Sequence, residues 1–507
     1  MSRWIWVVAA ALPALALAQR PDESEMFGAP AEQAPDAGTK PPAPPTEGEA
    51  PKPPGDNRDT EALTEGKIKD AFAHGEAVED PLKIGGRFYL QAGFSGGYGK
   101  DVRDSRFSAP TLVDGYFDAR PSDRIRGMLA ARLTFDASAA SGTTRSPALQ
   151  VNRDLTSGLV LAESSNPSVL LDQAWLNFDI EHRVFITAGR QHVKWGTGRI
   201  WNPTDFLTPT RRDPLAFIDT RLGTSMVKVH VPWEPLAANF YGYGLLDIDQ
   251  PASLFRQIGG AARAEFVVLK TAEVGLGAIL QKGFQPRYAL DLSTPLGPFD
   301  VYGEVAFKHG ADDAPRLRKC EPDCGPTQVV IGVPGLPLPT DTPTGYEAYH
   351  PDGWTPAATA GLEWQIAYAE NKTAIVGAEY FYNSAGETDP AVYPPMLISG
   401  LLSPFYLGQH NAALFVVLAA PGNWDKVVFN LFNLANLSDR SFVTRLNFSV
   451  QVMTYLTVEA YGAVHYGNPN GAFRLQMQID PVPLLLPQGL SLPAALWDTG
   501  MGLRVSL

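Results

Sequence analysis

From residue 86 to the end, the chain alternates apolar and polar residues with period two, in segments of 10 to 13 residues. Strict alternation is the mark of a β-strand whose two faces meet different surroundings. In 125–136, Ile125, Gly127, Leu129, Ala131, Leu133 and Phe135 form one face; Arg126, Met128, Arg132, Thr134 and Asp136 lie on the other. In 299–308, Phe299, Val301, Val305 and Phe307 oppose Asp300, Tyr302, Glu304 and Lys308. In 441–452, Phe442, Leu446, Phe448 and Val450 oppose Arg445, Asn447, Ser449 and Gln451. Fifteen further segments bring the count to 18.

The connections alternate too. One set is short, as in ARPSD, IEHR and PGNW; the other is mostly long, as in 98–110, 137–167, 196–221 and 309–356. Short turns at one rim and long loops at the other are the layout of a transmembrane β-barrel. The fold expected is all-β: an antiparallel barrel over 86–507, with 18 strands and 16 as the next count. A soluble propeller or sandwich fits less well. Its strands would be shorter, and no repeat near 40 to 50 residues is visible. The final strand, Met501 to Leu507, puts Leu503, Val505 and Leu507 on one face. It resembles the C-terminal signal of bacterial outer-membrane barrels, with Leu in place of the usual terminal Phe.

The segment ahead of the barrel has another composition. Arg3 precedes the apolar run Trp4–Leu17, and Ala16-Leu17-Ala18 reads as a cleavage site, so 1–18 is expected to be a signal peptide. Residues 19–85 are rich in Pro and Glu and hold 15 acids against 7 bases. Such a stretch cannot bury a core and reads as a disordered periplasmic linker. A short helix over 60–73 and contact with peptidoglycan or a homotrimer are open there. The net charge of -13 gives no basic patch for nucleic acid. Cys320 and Cys324 are the only cysteines, four residues apart, and read as a local disulfide in an exported loop. A zinc site would need more ligands than that segment offers.

Residues 189–206, GRQHVKWGTGRIWNPTDF, begin as a strand and break into turn residues. Read as a strand over 183–195, the stretch puts Arg190, His192 and Lys194 on one face. A cation facing lipid at mid-membrane costs roughly 2–4 kcal/mol. That face is therefore expected in the lumen, with Phe185 and Trp195 facing lipid at the two interfaces. The stretch resembles a G-R-Q-x-x-x-W-G…N-P-x-D segment of porin-like and alginate-export-like barrels. In general porins the third outer loop folds inward and narrows the pore. The resemblance implies that Trp195, Gly196, Asn202, Pro203 and Asp205 shape such a loop. It also implies that Arg190, Lys194, Arg199, Arg211 and Arg212 line the constriction or the vestibule; His192, Asp205 and, from the polar face of 125–136, Arg126 and Arg132 are further pore candidates. The plainer alternative is bracing: Asp205 paired with an arginine, Trp195 and Trp201 as interfacial anchors.

No nucleophile elbow, zinc-protease motif or phosphate loop occurs in the sequence. No enzyme activity, metal or cofactor is expected. The function expected is passive diffusion of small hydrophilic solutes across an outer membrane, with a preference for anions left open. Polysaccharide export and a structural or adhesive barrel, plugged by loop 309–356, stand beside it.

Overall fold

The structure, a computed structural model, describes residues 81–138, 166–208, 211–246, 258–282, 284–310, 316–319, 346–349, 352–369, 372–398, 404–479 and 490–507. The expected signal peptide, helix 60–73 and both cysteines lie outside the described residues, as do all but a few residues of the linker and most of loop 309–356.

Among the described residues, eighteen antiparallel strands close into one barrel. In chain order they are β1 Leu82–Gly97, β2 Pro110–Ser122, β3 Ile125–Asp136, β4 Ser168–Ile180, β5 Val184–Gln191 and β6 Thr224–Trp233. Next come β7 Ala238–Leu245, β8 Gly259–Val268, β9 Ala272–Gln281, β10 Arg287–Leu296, β11 Phe299–His309 and β12 Trp354–Ala369. The last are β13 Lys372–Asn383, β14 His410–Ala419, β15 Val427–Asn436, β16 Ser441–Met453, β17 Leu456–Gly467 and β18 Ala495–Ser506. Each strand pairs with its neighbours in sequence. Closure comes from β1 on β18, with Phe88 opposite Val505 and Leu90 opposite Leu503. A closed sheet leaves no backbone edge unpaired, which a bilayer core demands. The short strand Arg106–Ser108 adds to β1.

The outward face is the apolar one. Phe117, Leu129, Leu176, Leu290, Leu362 and Leu503 are all exposed to the surroundings. On β12, Trp354 and Trp364 both point outward, ten residues apart along one strand. At about 3.3 Å rise and 40° tilt they lie about 25 Å apart along the membrane normal, the height of an apolar band with an aromatic at each interface. The alternation predicted for 125–136, 299–308 and 441–452 puts the same residues outside and inside that the structure does. The wall begins at Leu82, four residues before the expected 86.

Strand 183–195 differs. It ends at Gln191, and its lumen face carries Phe185, Thr187 and Gln191, all buried. That is the reverse of the expected orientation. The basic period-two pattern runs past the point where the chain leaves the wall, so His192 and Lys194 belong to no strand face. Gly189, at φ 126°, is in the region only glycine adopts freely, just before the chain turns inward.

Candidate functional site

Residues 192–208 and 211–223, in the third long connection, fold into the lumen and touch the wall on nearly every side. The segment's two ends meet at Asp172. β4 carries a bulge there: Gln173 pairs with Ala130 and Leu171 with Ala131, so Asp172 is the extra residue. Bulges re-aim side chains, and Asp172 is buried. Its carboxylate meets His192 Nε2 at 2.9 Å and Arg132 at 3.3 Å, and its carbonyl accepts from Gly223 N–H at 3.2 Å. Arg132 also donates to the Thr220 carbonyl at 2.9 Å. The ion chain continues through Asp114 to Arg87.

From there the segment runs along the wall formed by β6 to β10. Trp195, 1% exposed, packs with Leu207 against Met226, Tyr243, Ile279 and Ala289 of β6, β7, β9 and β10. Two carboxylates then hold the backbone. Glu304 of β11 accepts N–H bonds from Thr197 (2.6 Å), Gly198 (3.2 Å) and Thr204 (3.4 Å). Glu379 of β13 accepts from Arg199 (2.8 Å), Ile200 (3.1 Å) and Trp201 (2.7 Å), and from the Tyr302 hydroxyl (2.8 Å). Five consecutive peptide N–H groups thus point at two buried carboxyl groups, a backbone nest. The local sequence allows this approach. Gly196 sits at φ 87°, and a Cβ there would lie 2.1 Å from Glu304 Oε2. A Cβ on Gly198 would lie 2.0 Å from the Trp201 carbonyl. Asn202-Pro203-Thr204-Asp205 then turns the chain back, with Asp205 N–H on the Asn202 carbonyl and Pro at the second turn position, where its φ is preset. The Asn202 amide ties the turn to Trp195 O at 3.1 Å.

Trp201, fully buried, stacks on Phe381 at 5.7 Å and donates its indole N–H to Phe405 O at 2.6 Å. Phe405 packs in turn on Phe473. Residues 404–407 and 472–475 therefore join the segment in one apolar cluster with Phe415, Phe432 and Leu434 of the wall. Past Leu215, Phe217 reaches Tyr461, and Ile218 packs on Tyr89 and Leu112.

The predicted basic residues are mostly paired. Arg199 binds Glu363 at 2.8 Å. Arg126 binds Asp118 at 3.0 Å. Asp205 pairs with Arg221 at 3.3 Å, and Arg221 with Asp219 at 2.6 Å. Burial would raise the Asp219 carboxyl, but hydrogen bonds and charge from Arg221 hold it at about 2. Burial lowers the Arg212 guanidinium, partly offset by Asp219; Arg212 donates to Arg199 O at 3.4 Å. Arg211 donates to Asn202 O at 3.2 Å and lies 5.4 Å over Tyr406. Lys194 is half-buried beside Trp195.

Two expectations are corrected. Arg190 sits at the end of β5, in register with Ala174 and Ser225, and its guanidinium turns back onto Leu171 O at 2.8 Å. It is a brace at the rim. Trp195 and Trp201 face no lipid, because the chain has already left the wall. Asp172, Glu304, Glu379, Phe405 and Tyr302 carry the site without a local motif to announce them. The alternation of 299–308 puts Glu304 on the inward face, but only the fold shows what it holds.

A closed wall with its third outer connection folded inside defines the architecture. Solved structures similar to it include Acinetobacter baumannii OccAB1 (9% identity, TM-score 0.46, 85% of this chain and 97% of that one). Pseudomonas putida OprB is similar at 11% identity and TM-score 0.43, covering 87% and 96% of the two chains. A porin of Rhodopseudomonas blastica is similar at 8% and 0.37, covering 84% and 100%. No family model and no curated protein matches the chain.

Proposed function

We propose that the porin-like barrel is an outer-membrane channel for passive diffusion of small hydrophilic solutes, narrowed by residues 192–223 and favouring anions. The observation that carries this is the fate of the lumen acids. Glu304 and Glu379 are consumed by backbone N–H groups and Glu363 by Arg199. The lone pairs of these acids are turned onto N–H donors and a guanidinium and away from the lumen, which weakens their repulsion of an anion, and rings of charge set pore selectivity. Planar-bilayer recording on the mature protein in a KCl gradient tests it. Stable conductance steps with an anion-directed reversal potential are expected.

A plugged, structural barrel is the second reading. The packing of residues 404–407 and 472–475 on Trp201 favours it. A folded, heat-modifiable barrel that never conducts would establish that reading instead.

A further inference from the structure

Most lumen arginines have their charge cancelled by a carboxylate. Arg132, Arg199, Arg221, Arg263 and Arg504 each lie within 3.3 Å of an Asp or Glu. Arg445, on the lumen face of β16, is different. Its Nε donates to the neutral amide Oδ1 of Asn447 at 2.7 Å. Its guanidinium lies 3.8 Å from the ring centroid of Tyr461 and 5.5 Å from that of Phe217. The two rings are 6.2 Å apart. Glu459, on β17, pairs with Arg504 at 3.2 Å and interacts with Arg445 only through longer-range charge attraction, with no ion-pair contact.

The place matters as much as the charge. The β6–β13 side of the lumen is filled by residues 193–207 and their buried cluster. On the β16–β2 side, among the described residues, Phe217 and Ile218 come to the wall at Tyr461, Tyr89 and Leu112, and Phe473 packs at the Ser441 end of β16. There Arg445, Tyr461, Phe217 and Gln91 stay half-exposed. Two π faces hold a cation by attraction to their electron-rich surfaces without neutralising it, and they restrict where it can swing.

We propose that Arg445, seated between Phe217 and Tyr461, is the specificity-determining residue that sets the anion preference of the channel, and that solutes pass along the β16–β2 wall. This rests on the channel reading above. Arg190, His192 and Lys194 are not the selectivity charges.

Reversal potentials in a KCl gradient test this on the full mature chain. Arg445→Gln should cut the anion-to-cation permeability ratio by about two- to five-fold, the effect of removing one charge a few ångströms from a hydrated ion path. Arg445→Lys, which keeps the charge, should hold the ratio within a factor of about 1.5. Asn447→Asp is isosteric and leaves Arg445 in place while setting a carboxylate on its Nε. It should lower the ratio as Arg445→Gln does, which covers the case where Arg445→Gln fails to fold. Conducting variants with the wild-type reversal potential overturn the proposal and leave the channel standing. A folded wild-type barrel with no conductance sinks both.

Discussion

The Glu379 carboxylate accepts the backbone N–H of Trp201 at 2.7 Å, across 178 residues of chain and from the opposite side of the lumen to β5. That bond and its five companions on Glu379 and Glu304 make the inward segment part of the wall. A charge-assisted hydrogen bond contributes about 1.5–3 kcal/mol, and a buried donor left unpaired costs a similar amount.

Glu379→Gln keeps the shape and removes the charge. It should loosen residues 199–201 at a cost of about 2–4 kcal/mol. The expected outcome is a wider, noisier single-channel conductance from a barrel that still shows its heat-modifiable gel shift. A conductance trace identical to wild type would show that the carboxylate does not hold the aperture.

Gly196→Ala combines a positive φ with a 2.1 Å clash on Glu304. The strain should cost about 1–3 kcal/mol. Hydrogen exchange at the amides of 197–201 should accelerate, while the exchange of β9 and β10 amides stays as it was. Gly115→Ala, whose added Cβ meets no neighbour within 4 Å, is the control.

Trp201→Ala empties the centre of the cluster that joins three inward segments. Loss of a fully buried tryptophan costs about 3–5 kcal/mol. Protease accessibility of 404–407 should rise in this variant, and Trp201→Phe should restore most of the protection through its stack on Phe381. Equal cleavage in wild type and Trp201→Ala would mean that the segments are held independently.

Asp219, held at about 2, contributes stability that is fully present above its unfolded value near 4 and is lost as pH falls towards 2. The Arg221 tie should therefore survive acidification from pH 7 to 5. Conductance measured over that range should not change through this pair, and Asp219→Asn should conduct at pH 7 as the wild type does only near pH 2.

Much of this architecture was legible along the chain. Strands in a membrane wall have one face in lipid and one inside, so period two counts them and orients them without knowledge of their partners. Eighteen strands, their short and long connections, and the inward faces of β3, β11 and β16 all followed from that single constraint. The resemblance of 189–206 to porin-like barrels implied an inward loop there, and Gly196 supplies the positive φ that the observed path needs. Period two failed at Gln191, where the chain left the wall and the constraint ceased to act. Which lumen acid meets which N–H, that Trp195 and Trp201 are buried anchors, and that Arg445 sits on two rings were decided by tertiary structure alone. Those contacts join residues far apart in the chain, as Trp201 and Phe405 or Phe217 and Arg445 are, and their energy depends on distances that only closure of the barrel creates.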